Sequence, residues 1–301
     1  MRSRGAMDRL EFLLALTASA QPLPAGVLRG NPTEPDLFTA QEHRVRGRLG
    51  VCAIDLRDER RIGRRARERF PLASTFKLPL VMDVLSRVDG GIERLDRKLS
   101  FGPSAILAYS PVVAKQPRGG SLTIADLCAA AIEHSDNAAA NLLLATLGGP
   151  PGVTAYLRGV GDPTTRLDRT EPALNAAAPG DVRDTTTPEA MANLLARLVR
   201  EPILSRTSQA TLFGWLRNAT TGLARIRAGV PNGFVVGDKT GTTNTGGNDV
   251  AILWPRFGPP IVLAVYSAEV HASDADRDAA IAAVAHEVVL RFRTSGPRRR
   301  G

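Results

Sequence analysis

Ser74-Thr75-Phe76-Lys77 places a hydroxyl three residues before an ammonium. On a helix, positions i and i+3 share a face, so this lysine would lie beside the serine, help remove its proton and hold the alkoxide. With Ser74 as the helix N-cap, the helix start would add a backbone N–H and the positive end of its dipole. The same residues also read as a capped helix with a solvated lysine. Ser135-Asp136-Asn137 offers a hydroxyl that can relay a proton to a leaving nitrogen and an amide that can hold a carbonyl. All three types equally suit a plain N-cap. Glu171-Pro172-Ala173-Leu174-Asn175 carries a carboxylate and an amide that could hold one water between them; the alternative is a surface acid in a turn. In Lys239-Thr240-Gly241-Thr242, Gly241 lets a substrate approach strand backbone and Thr242 can offer its N–H. The bland alternative is an ordinary strand end.

Elements must bring these four segments together. Leu37 to Arg46 predicts a first helix. Arg48 to Leu56 alternates as a strand, with Leu49, Val51 and Ala53 on one face and Cys52, Ile54 and Leu56 on the other. Arg61 to Phe70 is its expected hairpin partner, and Pro71 ends the extended chain. The middle shows helical spacing over Thr123–Glu133, Asn137–Leu147, Thr187–Arg200 and Ser208–Leu216, with Pro188 suited to a first turn. Gly148-Gly149-Pro150-Pro151 and Gly161 to Asp184 read as loops. Phe234–Thr242, Val250–Trp254 and Ile261–Ser267 are β-rich, and a last helix spans Asp274 to Phe292. Strands at both chain ends with helices between imply one sheet built from both ends.

Composition limits the function classes. Of 301 residues, 43% are hydrophobic and 23% charged, ordinary for a globular chain with a real core. No apolar run reaches the ~18 residues of a membrane span. The net charge of +9 comes from arginine. The run from Arg57 to Arg69 is mixed with Asp55, Asp58, Glu59 and Glu68 and reads as the solvated face of a hairpin; Arg298-Arg299-Arg300 is a short tail. No aromatic interleaving points to nucleic acid. Cys52 and Cys128 sit in apolar contexts and read as unpaired thiols. His43, His134, His271 and His286 are scattered, without metal-ligand spacing, so neither a metal nor a cofactor is expected. Arg2, Arg4 and Arg9, then Phe12 to Leu16, then Ala18-Ser19-Ala20 resemble a secretory signal over residues 1–20, interrupted by Asp8 and Glu11, and imply an exported, periplasmic or extracellular protein.

Taken in order, Ser-x-x-Lys, Ser-Asp-Asn and Lys-Thr-Gly, with Glu171 and Asn175 in a loop, resemble the motif set of the class A serine β-lactamases. Arg166-Leu167-Asp168-Arg169-Thr170-Glu171-Pro172 resembles that family's Ω-loop, with Thr170 where an aromatic is common. Asp184 to Pro188 resembles the segment closing it, and Ala138 to Leu143 the helix after Ser-Asp-Asn. The resemblance covers roughly residues 36–293. It implies a β-lactamase/transpeptidase-like fold, α/β plus all-α: an antiparallel five-stranded sheet with terminal helices (34–70 and 218–294) beside a helical domain (71–217), flanked by a leader (1–33) and a basic tail (295–301). The resemblance further implies hydrolysis of penicillins and cephalosporins by a monomer, with a β-lactam and water as its partners. Ser74 would attack the lactam carbonyl, with its own N–H and that of Thr242 as oxyanion hole. Lys77 or Glu171 would take the proton, and Ser135, beside Lys239, would deliver one to the ring nitrogen. Glu171 and Asn175 would hold the deacylating water; Asn137 would bind the substrate amide; Tyr109 would stand at the cleft mouth, and an Arg169–Asp184 pair would tie the loop.

Two departures stand out. Residues 243–255 contain no Arg or Lys, where many relatives place a carboxylate-binding Arg. Thr220-Thr221-Gly222 followed by Arg225-Ile226-Arg227 resembles subgroups that supply it from the preceding loop, through Arg225. Ala73 and Thr243 stand where carbapenem-hydrolysing relatives often carry a cysteine pair, although Thr242 and Arg225 keep that activity open. A D,D-peptidase of the penicillin-binding type, or a β-lactam sensor, would share the nucleophile but lack the water-holding Glu171 and Asn175.

Overall fold

A computed structural model describes residues 38–294. The signal-like segment, Leu37 and the arginine tail lie outside the described residues. The five-stranded antiparallel sheet has the order β2-β1-β9-β8-β7, formed by β1 (Arg48–Asp55), β2 (Arg61–Arg64), β7 (Phe234–Thr243), β8 (Gly246–Pro255) and β9 (Ile261–Ala268). Both faces are covered. The period-two alternation of β1 sends Leu49, Val51 and Ala53 into an outer core with Val284, Val288 and Phe292 of the last helix, Asp274–Thr294. Cys52 and Ile54 turn inward, into a larger core shared with Phe76, Leu80 and Leu195. Both cysteines are free and buried, and burial pushes the Cys52 thiol up to about 12.

The helical region has its expected helices, shifted by one or two residues at their ends. Thr123 caps α3 (Ile124–Glu133) in a capping box with Asp126, and Thr187 caps α6 (Pro188–Arg200) with Pro188 in the first turn. The loop expected at Gly148–Pro151 instead runs into α5 (Pro150–Gly159). Pro150 opens that helix because a first-turn residue needs no N–H partner.

The arginine run stays exposed or half-exposed, as expected of a solvated face. The hairpin strand ends at Arg64, and the arginines around it are tethered. Arg57 and Arg60 hold the buried Asp55; Arg64 and Arg65 hold Glu42; Arg61 donates to Asn193 Oδ1 at 2.8 Å. Acids within the run and outside it, Glu42 among them, partly offset its charge.

Phe70–Pro71 (β3) leaves the main sheet and pairs with Thr185–Thr186 (β6), joining the chain before Ser74 to the end of the Ω-loop. Strands β4 (Lys98–Phe101) and β5 (Gly120–Thr123) pair as a second small sheet and frame the loop carrying Tyr109.

Gly50 on β1 illustrates how tightly the inner face closes. A Cβ there would lie 2.4 Å from the Phe70 ring and 2.8 Å from Pro188 Cγ. Gly50→Ala is expected to lower unfolding stability by about 1–3 kcal/mol, the scale of core overpacking, read as a lower denaturant midpoint at unchanged m-value.

Candidate active site

Ser74 is not the N-cap expected from sequence. It lies inside the 3₁₀ turn Ala73–Phe76, the α-helix proper begins at Lys77 and spans Lys77–Asp89 (α2), and no side chain caps it. The turn is pinned from three sides. Thr75 Oγ1 donates to Leu72 O at 2.6 Å and lies 3.1 Å from the Tyr266 hydroxyl on β9. Asn248 Nδ2 donates to Pro71 O at 2.8 Å, and Leu72 N–H donates to Asp184 O at 2.8 Å. Ala73 takes a left-handed φ of 43°, a sparsely populated conformation for a residue with a Cβ.

Strand β7 approaches this turn as an edge strand. A Cβ on Gly241 would lie 2.9 Å from Leu72 O and 3.2 Å from Ser74 N. Glycine is therefore required by the protein's own backbone, in addition to the close substrate approach expected from sequence. The same contact brings the neighbouring Thr242, which is exposed, beside the nucleophile's turn.

Lys77 is the hub. Its side chain is fully buried, and Nζ lies 2.9 Å from Ser74 Oγ, 2.8 Å from Ser135 O, 2.6 Å from Asn137 Oδ1 and 3.2 Å from Glu171 Oε1. Burial pulls its ammonium below the ordinary lysine range, and the Glu171 charge opposes that pull. Ser74 Oγ lies 3.2 Å from Glu171 Oε1. The hydroxyl thus has an amine and a carboxylate both within proton-transfer reach.

Ser135 takes a left-handed φ of 56° and offers Oγ to Lys239 Nζ at 3.0 Å. Lys239 is buried, and desolvation holds it well below the usual lysine range, with the Lys77 charge adding to the shift. Asp136, between Ser135 and Asn137, accepts from Ala139 N, Val112 N and Val113 N. It is both N-cap of α4 (Asn137–Thr146) and clamp on the Tyr109 loop. Asn137 N–H donates to Tyr109 O at 2.9 Å, while the Tyr109 side chain stands 52% exposed at the rim.

The Ω-loop brings Glu171 in from the far side. Asn175 Nδ2 donates to Glu171 Oε2 at 2.7 Å across the 3₁₀ turn Ala173–Ala176. The loop's neck closes on buried Asp184, which accepts from Asp168 N, Arg169 N and Arg169 Nε. Asn141 on α4 grips Glu171 from both ends of its peptide, donating to its carbonyl at 2.9 Å and accepting from its N–H at 3.0 Å.

Arg225 is buried, and four guanidinium bonds are taken. Nε reaches Asp278, Nη1 reaches Gly241 O and Asn248 O, and Nη2 reaches Thr242 Oγ1 at 2.9 Å. The remaining N–H lies on Nη2, beside Thr242. Arg227 turns away, to Asp238 and the carbonyls of Leu216 and Arg217. Thr240 Oγ1 is 2.6 Å from Thr221 Oγ1.

The sequence reading gave no role to Asn141, Asn248, Tyr266 or Asp278. Only Asn141 had a signal, its place in the helix after Ser-Asp-Asn. The others bond to backbone or side chains far away in sequence.

Comparison with known proteins agrees with this geometry. The beta-lactamase enzyme family model matches residues 36–292. The carbapenem-hydrolyzing beta-lactamase KPC of Klebsiella oxytoca is 43% identical over 279 residues, 92% of this chain and 94% of the relative. Beta-lactamase Toho-1 of Escherichia coli is 47% identical over 221 residues, 73% of this chain and 76% of the relative. An ancestral (GNCA) class A beta-lactamase superposes with a TM-score of 0.82 at 51% identity, covering 84% of this chain and 97% of that one. The Ser-x-x-Lys turn, the Ser-Asp-Asn corner, the Ω-loop glutamate and the Lys-Thr-Gly edge strand thus share a fold and a family match along nearly the whole described chain, and the protein belongs to the class A serine β-lactamases, hydrolases of the β-lactam ring.

Proposed function

We propose that Ser74 is the nucleophile and that hydrolysis runs through an acyl-enzyme on its Oγ. The observation that carries this is the pair of groups around one hydroxyl: Lys77 Nζ donates to it at 2.9 Å and Glu171 Oε1 accepts from it at 3.2 Å. Lys77 and Glu171, themselves 3.2 Å apart, take the serine proton as a coupled pair. The backbone N–H groups of Ser74 and Thr242 receive the oxyanion, a preorganised electrostatic contribution. Ser135, polarised by Lys239, returns a proton to the ring nitrogen as the C–N bond breaks.

Deacylation then rests on Glu171 and Asn175. Asn175 Oδ1 is buried without a donor among the described residues, while its amide nitrogen is held by Glu171. A water bridging Glu171 and Asn175 would meet a base and an acceptor together, the pairing a slow-deacylating peptidase or a sensor would lack. Asn137 holds the substrate side-chain amide, and Tyr109 walls the mouth.

The substrate carboxylate binds at Lys239, Thr240 and Thr242. Arg225 Nη2 donates to Thr242 Oγ1, leaving that hydroxyl's own proton free to point outward, and one Arg225 N–H remains beside it. The substrates are penicillins and cephalosporins. Ala73 and Thr243, standing where the cysteine pair would be, weigh against carbapenems, while Arg225, Thr242 and the similarity to KPC keep that activity open. We read the chain as two domains, 34–70 with 218–294 and 71–217, with the site between them. We read the protein as a monomer, and the signal-like start supports export to the periplasm or beyond.

Four experiments test this reading. Ser74→Ala should give no covalent adduct with benzylpenicillin by intact-mass spectrometry. Glu171→Ala should accumulate a stable adduct that the wild type clears; wild type holding penicillin for hours with Glu171→Ala unchanged would mean a penicillin-binding protein instead. Glu171→Gln removes the charge that holds the Lys77 pKa up, so Lys77 should titrate at lower pH in that variant, followed by 13C NMR of its ε-carbon; an unchanged or higher value contradicts the coupling. Arg225→Ala should lower kcat/KM for penicillins about ten- to a hundredfold, the scale of a charge-assisted hydrogen bond; an unchanged kcat/KM rules out the anchor.

A further inference from the structure

Behind Lys239, on the sheet face away from the nucleophile, lie two buried carboxyl groups that the mechanism does not use. Asp238 precedes Lys239 on β7, and Asp249 on β8 stands opposite Thr240, so the two are diagonal neighbours on one face. Alternation along β7 puts Asp238, Thr240 and Thr242 on that face. Each holds one residue of the preceding loop: Asp238 Oδ1 accepts from Arg227, Thr240 meets Thr221, and Thr242 Oγ1 accepts from Arg225. Asp249 Oδ2 adds a fourth tie, accepting from Ile226 N–H at 3.0 Å. Gly222 is part of the fit, because a Cβ there would lie 1.8 Å from Asp238 Oδ2.

One oxygen of each carboxyl has no donor. Asp238 Oδ2 and Asp249 Oδ1 are both buried without a partner among the described residues, and the register sets the two carboxyls diagonally side by side on one face. Two facing carboxylates cannot both stay ionised in a dry site, and a proton between them satisfies both oxygens at once. Burial pushes Asp249 well above the usual carboxylate range and the Asp238 charge adds to this, against Arg225, the Ile226 N–H and Lys239. Burial also raises Asp238, opposed by Arg227, Lys239 and the bond to Asp249. Asp238 carries the Arg227 guanidinium, so it is the ionised partner and Asp249 the acid.

We propose that Asp249 keeps its proton and donates it to Asp238, and that this singly charged pair is a positioning device holding Thr221, Arg225 and Lys239 around the substrate carboxylate. The functional half rests on the carboxylate reading of Arg225; the shared proton does not. A carboxyl whose pKa is raised by folding contributes stability below its unfolded pKa and loses it as pH rises toward the folded value.

Asp249→Asn keeps a donor facing Asp238 and an acceptor facing Ile226, with nothing to titrate. Its melting temperature relative to wild type should therefore climb between about pH 5 and about pH 8. Infrared spectra of the wild type at the upper end should show a protonated-carboxyl C=O band that is absent from Asp249→Asn. Asp249→Ala should raise KM for a penicillin about tenfold, the scale of one well-placed hydrogen bond, with a smaller change in kcat, and Asp249→Asn should recover most of that loss. A flat melting difference without the infrared band overturns the shared proton. A fall in kcat at constant KM overturns the positioning role. If Arg225→Ala leaves KM unchanged, the carboxylate reading fails and the positioning role with it, while the band still decides the proton.

Discussion

The constraint on which the site depends is the burial of one ammonium. Lys77 has no exposed surface, and a buried charge is tolerated only when oxygens replace the water it has lost. Five oxygens do so, and they come from the Ser74 turn, the Ser135–Asn137 corner and the Ω-loop. Satisfying one cation thus fixes three segments far apart in the chain. The same desolvation lowers the lysine's affinity for its proton, so the feature that organises the cleft also readies it for proton transfer.

A second constraint is backbone proximity. The edge strand β7 lies against the Ser74 turn closely enough to exclude a side chain at Gly241. Asn248 and Tyr266, from the two strands inside it, hold the turn by hydrogen bonds. The sheet therefore acts as a rigid jig for the nucleophile. Its outermost strand keeps one edge unpaired, where backbone groups stay available to a bound molecule.

The Ω-loop has little regular structure and is held by side chains instead. Asp184 gathers two N–H groups and a guanidinium at the neck, and its own carbonyl receives the N–H of Leu72. Asn141 grips the Glu171 peptide from the helical side. Loop and Ser74 turn are thereby coupled through a buried aspartate, alongside the β3–β6 pairing and the Ser74–Glu171 hydrogen bond.

The sequence by itself determined the elements and the chemistry-bearing residues. Period-two alternation in Arg48–Leu56 named both faces of β1 correctly, because a strand between two cores leaves no other choice. Motif order pointed to the family, since Ser-x-x-Lys, Ser-Asp-Asn, the loop Glu171 and Lys-Thr-Gly follow one another on the expected elements. Local signals misled where a longer-range contact outweighed them. Ser74 reads as an N-cap, yet it falls inside a 3₁₀ turn pinned by Asn248 and Tyr266, and its hydroxyl meets Lys77 and Glu171 instead. Gly148 to Pro151 reads as a loop because proline breaks helices, yet Pro150 opens one. The arginine run reads as a solvated face and is one, but its tethers to Glu42, Glu189 and Asn193 come from distant segments. What only tertiary structure decided was which buried polar groups find each other: Arg225 with Thr242, Asn141 with Glu171, Asp238 with Asp249. Such partners are chosen by the need to satisfy charge and hydrogen bonds out of reach of water, and that need exists only once the chain has closed around them.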